Sequence, residues 1–271
     1  AVNGKLIETK AADTDPYVNG AQKFNGKKFV LTQDIDLKDS LWTPIGATGK
    51  FEGTFDGQGF TIHNLNVDID LLNEKIYDIL GTPLSAKTAA GLFANAKYVQ
   101  NVNVKNATVK GHYKTGVIVG DGLCSRIENC HVEEAVVEVT PVDRDEANNV
   151  GGIVGYLSAE NEAYVKGCSV KNSTITAYRK VGGIAGAISF ESSWDPELDV
   201  AVSGDLSMNF EGEVCAVVLD CHNEAVVTTY KQNGGGIVGR MSLGLVRSCE
   251  NRGALKGAAA VYLGGIAGRS D

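Results

Sequence analysis

A short glycine motif recurs along the chain and constrains its fold more than any other feature. Five copies follow the pattern Gly-(Gly/Val)-Ile-(Val/Ala)-Gly, and they begin at Gly116, Gly151, Gly182, Gly235 and Gly264. A degenerate copy, AGLFA, begins at Ala90. Because one chain repeats the motif so often, we interpret it as an element of architecture rather than a single ligand-binding loop.

A second element lies between the glycine motifs. Its central position holds a small apolar residue in each copy: Val102, Cys130, Cys168, Cys221 and Cys249. Most steps between this position and a neighbouring glycine motif have the same length. The two elements together complete a repeat of about 28 residues, and internal periods of this length are typical of solenoids.

Each repeat alternates β-branched with polar residues over four or five positions and then reaches Gly, Asn or Asp. Such runs are typical of short strands bounded by turns, and no segment carries a sustained helical stripe. We therefore predict an all-β fold, a single right-handed parallel β-helix whose strands each pair with their equivalent one repeat later. The glycines then permit tight bends and close inner packing.

Composition and charge exclude several classes of function. Gly234–Gly239, GGGIVG, fits the dinucleotide pattern G-x-G-x-x-G, but a nucleotide site needs one such loop that opens a helix, so we expect no cofactor. The net charge of −8 disfavours nucleic acid and anionic membranes as partners. No apolar run approaches the roughly 18–20 residues that span a bilayer, so the G-x-x-x-G spacing does not indicate a membrane helix pair.

The chain has six cysteines, and none has C-x-x-C or zinc-finger spacing, so no structural metal site is predicted. The four column cysteines are expected to be buried thiols that pack inside the coil. Cys124 and Cys215 each lie six residues before a column cysteine and would form a second, partial column. A disulfide between neighbouring rungs remains an alternative, because the strand spacing falls within the Cα separation that disulfides need.

The amino-terminal third has a different pattern. Residues 29–67 contain the strand-like run FVLTQDIDL, the turn WTPIG, and the Asp-Gly turn FDGQG, which has hairpin-like chemistry. Asp56 in this turn is interpreted as a turn former rather than a catalytic acid.

The runs DIDL, WTPIG and FEGTFDGQGFTIHNL, combined with the repeated GGIVG motif, resemble the GLUG-motif proteins of bacterial cell surfaces. The resemblance covers residues 29–271 and leaves residues 1–28 as an N-terminal lead-in or cap. It implies a right-handed β-helix in an exported, surface-attached protein, often one module of a longer chain. The sequence begins AVNGK, without an initiator Met, so we expect that any leader is absent from it. It supplies no catalytic residues.

An insertion at about 188–213 is the predicted place for a ligand. The step from Gly182 to Cys221 is much longer than the equivalent step in other repeats, and extra residues in a solenoid emerge as loops. Aromatic rings stack on sugars and carboxylates bind hydroxyls, so the candidate binding residues are Trp194, Phe190, Asp195, Glu197, Asp199 and Asp205. The alternative is a loop that folds down and covers the coil. An EF-hand calcium loop is excluded, because Val200 stands where that pattern needs Gly.

We expect that the protein is not an enzyme but a cell-surface module, adhesin-like or scaffolding, that binds a glycan or a surface protein. The alternative is a polysaccharide lyase or glycoside hydrolase on the same fold, with candidate residues Asp143, Arg144, Asp145, Glu146 and Asp195. The four histidines show no pairing with Ser or Cys that indicates a nucleophile. His131 and His222 directly follow column cysteines, so the repeat accounts for them.

Overall fold

Short parallel strands make up most of the structure. The computed structural model describes residues 24–47, 49–80, 88–139, 148–159, 163–190, 216–242, 244–257 and 262–270. In chain order the strands are β1 (Lys28–Val30), β2 (Ile35–Asp36), β3 (Phe51–Asp56), β4 (Thr61–His63), β5 (Asn66–Asp68), β6 (Phe93–Gln100), β7 (Asn103–Gly111), β8 (Lys114–Gly116), β9 (Val119–Leu123), β10 (Arg126–Glu128), β11 (His131–Val139), β12 (Asn149–Gly151), β13 (Val154–Ala159), β14 (Ala163–Lys166), β15 (Ser169–Lys171), β16 (Thr174–Gly182), β17 (Ala185–Phe190), β18 (Ala216–Leu219), β19 (His222–Asn223), β20 (Val226–Gly235), β21 (Val238–Ser242), β22 (Gly244–Arg247), β23 (Glu250–Asn251), β24 (Leu255–Gly257), β25 (Leu263–Gly264) and β26 (Ala267–Ser270). A helix, α1 (Ile69–Leu80), follows β5.

Every pairing between the described strands is parallel. A 12-stranded sheet contains β1, β3, β6, β9, β10, β13, β14, β17, β18, β21, β22 and β26. A 14-stranded sheet contains β2, β4, β5, β7, β8, β11, β12, β15, β16, β19, β20, β23, β24 and β25. The prediction of an all-β fold built from parallel strands is confirmed.

The pairing register follows the sequence repeat. Val104 pairs with Val132, one repeat later, and Asn223 pairs with Asn251 at the same step. The step lengthens from Val132 to Val170 and from Val170 to Asn223, because extra residues separate the strands there. Equivalent strands on either side of these longer steps still pair with each other.

The cysteine column points into the core, as predicted. Cys130, Cys168 and Cys221 are buried, and Cys249 in the last repeat is half-buried. The backbone N–H of Cys130 lies 3.4 Å from Sγ of Cys168, and burial raises the pKa of the Cys168 thiol. All cysteines within the described residues are free thiols. Cys215 lies outside those residues.

The repeated glycines allow close approach between neighbouring rungs, where a rung is the set of strands that one repeat contributes. A Cβ at Gly152 would lie 2.4 Å from the carbonyl oxygen of Gly183, and a Cβ at Gly236 would lie 2.1 Å from that of Gly265. Separations below 3.0 Å cannot be relieved by turning a side chain when the neighbour is backbone. The motif is therefore architectural, as the sequence indicated.

Helix α1 corrects the prediction that no segment carries a helical stripe. Ile69 and Leu72 are buried and lie on one helical face, one turn apart. Asp68 caps the helix, because its carboxylate accepts a hydrogen bond of 3.1 Å from the backbone N–H of Leu71. Nε2 of His112 lies 2.7 Å from the carboxylate of Asp70. This contact ties the first turn to the segment between β7 and β8.

The FDGQG turn connects the two sheets rather than closing a hairpin. β3 pairs with β1 and β6 in one sheet, while β4 pairs with β2 and β7 in the other. The hairpin-like interpretation is therefore wrong. Its physical reason is the parallel ladder, in which each strand already has partners one repeat away.

Candidate functional site

The structure corrects the start of the predicted insertion. β17 continues to Phe190, whose backbone pairs with Ala159, so Phe190 belongs to a sheet and not to a loop. The alternating run AGAISF accounts for this longer strand. The other predicted binding residues lie outside the described residues: Trp194, Asp195, Glu197, Asp199 and Asp205. The same holds for the alternative catalytic candidates Asp143, Arg144, Asp145 and Glu146.

The corner between the two sheets carries a row of polar side chains. The chain turns this corner with a left-handed residue in five successive repeats. These residues are Asn101, Asn129, Gly167, Asp220 and Ser248, with φ of 53°, 49°, 64°, 53° and 52°. Asn, Asp and Gly adopt this conformation more readily than other residues. Each precedes a residue of the inward column, so the turn directs that residue into the core.

Asp56 is the centre of a hydrogen-bond network at the start of this corner. Its buried carboxylate accepts hydrogen bonds from the backbone N–H of Gln58 at 3.0 Å and from the side chains of Gln100 at 2.8 Å and Asn101 at 3.0 Å. Nζ of Lys28 lies 2.9 Å away. Burial alone would raise the pKa of Asp56, but these hydrogen bonds and the ion pair outweigh it and lower that pKa. The carboxylate is fully engaged, which supports its interpretation as a turn former.

A shallow groove of about 460 Å³ follows this network along the corner. We call it the corner groove, and its lining is Asp56, Gln58, Gly59, Asn101, Asn103, Asn129 and His131. All of these residues are polar or glycine, and Gln58, Asn129 and His131 are exposed. Amide and imidazole groups that line an open groove can exchange hydrogen bonds with a hydroxyl-bearing ligand.

His131 contacts a serine on a neighbouring strand of the 14-stranded sheet. Its Nδ1 lies 2.8 Å from Oγ of Ser169, the next residue in the same outward column. Desolvation and the charge of Lys171 lower the pKa of His131. Among the described residues, Ser169 is the hydrogen-bond partner of this ring. No described carboxylate therefore orients the imidazole as a catalytic base would require.

The outward column continues past the corner groove to His222. Its Nε2 lies 2.7 Å from Glu224, and its Nδ1 lies 3.2 Å from Glu250. In a second outward-facing column, Nζ of Lys105 lies 3.3 Å from the carboxylate of Glu133. The register places His131 and His222 at equivalent positions, one rung on either side of Ser169, so the repeat does account for both histidines.

Sequence reasoning missed the corner groove because the residues that form it come from three separate rungs. A signal was present, since Asn101 and Asn129 stand directly before the column residues Val102 and Cys130.

Within the described residues, no cluster of three or more His, Cys, Asp or Glu side chains is suited to hold a metal ion. No described helix is both long and apolar enough to cross a bilayer.

Comparison with known proteins relates the chain to bacterial proteases. No family model matches it. It is 26% identical over 157 residues to an immunoglobulin A1 protease of Streptococcus pneumoniae strain R6, and 28% identical over 152 residues to one of Streptococcus sanguinis. Each match covers 52% of this chain and 8% of the relative. The chain therefore corresponds to a small part of these proteases.

A solved structure extends the likeness to most of the chain. It is the crystal structure of "a putative immunoglobulin A1 protease from Bacteroides ovatus", which superimposes with a TM-score of 0.59 at 20% identity. The match covers 88% of this chain and 63% of the other, so the two share a fold. The expectation that the protein is not an enzyme is contradicted by these relatives, all of which are named as proteases.

Proposed function

We propose that the chain is a right-handed parallel β-helix segment, of the GLUG-motif type, in a protease-like protein of the bacterial surface, and that it binds a glycan. The parallel pairing of equivalent strands at the repeat interval supports the coil. The strong preference of parallel crossovers for one hand supports right-handedness. The names of the streptococcal relatives support a protease-like context.

The corner groove is the observation that carries the glycan-binding proposal. Its lining consists of amides, one carboxylate, one imidazole and glycine, which match the hydroxyls of a sugar better than an apolar peptide side chain. The Asp56 network holds Asn101 in place, and the Ser169 contact positions His131. The side chains of the groove are thereby ordered before a ligand arrives, which reduces the entropic cost of binding.

We extend the proposal to the cellular location. A groove that is open along the corner between the sheets is accessible to the glycans of a cell surface or of a secreted glycoprotein. We place the protein outside the cell, exported and attached to the surface, with further domains beyond this segment. The share of 8% of each streptococcal relative supports such further domains.

A glycan array probed with the full chain tests the proposal. We expect binding to a subset of glycans, and we expect Asn103→Ala and His131→Ala each to weaken that binding at least tenfold. His222→Ala is the matched control, because His222 lies in the same outward column two rungs away. A blank array, or equal binding by all variants, would overturn the proposal. Binding of a polypeptide alone would replace the glycan with a protein ligand.

A further inference from the structure

The side-chain amides of Asn101 and Asn129 in the corner groove have a fixed orientation, which the charge of Asp56 determines. An ionised carboxylate only accepts hydrogen bonds, so Asn101 must turn Nδ2 toward Asp56, at 3.0 Å. Oδ1 of Asn101 then faces the next rung, where Nδ2 of Asn129 donates to it at 3.4 Å. The orientation of each amide thus follows from the charge at the start of the ladder.

The ladder ends at Asn129 and leaves an acceptor there. The next corner residue is Gly167, and a Cβ at that position would lie 2.6 Å from Oδ1 of Asn129. Glycine at this position makes room for the oxygen itself but supplies no side-chain donor to it, and Asn129 is exposed. The last amide of the ladder therefore presents its oxygen to a ligand, while its nitrogen faces Asn101.

The side-chain amide of Asn103 in the groove also has a fixed orientation. Nδ2 of Asn103 donates to the carbonyl oxygen of Gly59 at 2.7 Å, which leaves Oδ1 of Asn103 as an acceptor for the ligand. The charge of Asp56 is balanced by Lys28 at 2.9 Å. At Asn103 and Asn129 the groove therefore presents acceptor oxygens, and its ion pair is internal.

We infer that the corner groove selects a neutral, hydroxyl-rich saccharide and disfavours a sugar that carries a carboxylate. Hydroxyl groups donate to Oδ1 of Asn129 and to Oδ1 of Asn103. A carboxylate at the same place has only acceptor oxygens, so it cannot form hydrogen bonds with these amide oxygens. Both sets of oxygens would lose water without gaining a partner, which is costly. This inference rests on the proposed function and adds the chemical class of the ligand.

Calorimetric titration of the full chain with neutral galactan oligosaccharides and with oligogalacturonates of equal length tests the inference. We expect the neutral series to bind at least tenfold more tightly. Asn129→Ala should weaken that binding at least tenfold. Asn172→Ala is the control, because Asn172 is also an exposed left-handed asparagine, with φ of 48°, but lies outside the groove.

The outcomes separate this inference from the proposed function. If oligogalacturonates bind as tightly as the neutral series and Asn129→Ala abolishes both, the groove is a glycan site but its selectivity is not as inferred. If Asn129→Ala and Asn172→Ala lose binding equally, the loss reflects the turn and the inference fails. If neither Asn129→Ala nor Asn103→Ala changes the binding of either sugar, the proposed function fails as well. Melting curves of all variants identify any that do not fold.

Discussion

The amide of Asn223 is fully buried and donates a hydrogen bond of 2.8 Å to Oδ1 of Asn251, one repeat later. Asn223 occupies the inward position that Val170 holds in the preceding repeat. Its own Oδ1 accepts a hydrogen bond of 3.0 Å from the backbone N–H of Ala225. A polar ladder thus replaces an apolar column in the last repeats, and the amide of Asn223 is satisfied by its neighbours.

Loss of this ladder should destabilise the protein. Asn223→Ala removes the acceptor for the buried N–H of Ala225 and the donor to Asn251, and unsatisfied buried groups cost roughly 1–3 kcal/mol each. We expect a loss of about 3 kcal/mol in the free energy of unfolding, measured by urea denaturation. Asn172→Gly, at an exposed left-handed turn that glycine adopts without strain, should cost less than about 1 kcal/mol. Equal stability of the two variants would contradict the importance of the buried ladder.

Substitution of a repeat glycine should destabilise the protein wherever the backbone of the next repeat packs against that glycine. Gly152→Ala and Gly236→Ala place a Cβ at 2.4 Å and 2.1 Å from a backbone oxygen, so the backbone must shift, at a cost of about 2–3 kcal/mol. Gly265 is the matched control, because a Cβ there meets nothing within 4 Å. Thermal melts should show a large fall for the first two variants and almost none for Gly265→Ala. A similar melting temperature in all three would refute the close-approach account.

Asp56 should make the stability depend on acid pH. Its folded-state pKa lies below the ordinary value of an aspartate, which is about 3.9 in an unfolded chain. A carboxyl group with a depressed folded pKa contributes stability above the unfolded pKa, and this contribution is lost as the pH falls through the folded pKa. We therefore expect Asp56→Asn to lower the free energy of unfolding by about 2 kcal/mol at pH 7.

The same comparison at low pH supplies the check. The difference between the wild type and Asp56→Asn should shrink as the pH is lowered below about 4, because the carboxyl group of the unfolded wild-type chain then binds a proton while the folded one stays ionised. Denaturant titrations at pH 7, 5, 4 and 3 measure it. A difference that stays constant over this range would mean that the charge of Asp56 is not the source of the stability.

The column cysteines should behave as packing residues. Burial raises the pKa of the Cys168 thiol, and the nucleophile in alkylation is the thiolate, so Cys168 should resist iodoacetamide in the folded protein. A reductant should leave the melting temperature within about one degree, because the described cysteines are free. Peptide mass mapping after alkylation and melts with reductant test the two points. Rapid alkylation of Cys168, or a marked shift with reductant, would contradict the packing interpretation.

The repeat made the strands and their pairing predictable, because parallel rungs require equivalent residues at a constant interval. Val104 and Val132 are a direct example, paired one repeat apart. Helix α1 was not predictable in the same way, since it occurs once and begins inside a strand-like run. The corner groove was missed because Asp56 and Asn129 come together only through folding, and no single repeat contains both.

The insertion after β17 should be removable without loss of the fold. β17 pairs with β13 and β21, and β18 pairs with β14 and β22, so the ladder is continuous on both sides of residues 191–215. We expect that a short Gly-Ser turn in their place changes the melting temperature by only a few degrees. Trp194→Ala in the intact chain tests the prediction from sequence that this insertion binds the ligand, and weaker glycan binding at unchanged stability would support it. If the deletion unfolds the protein, the insertion is a structural cover. If the chain stays folded and binds the glycan unchanged, binding depends on the corner groove and not on the insertion.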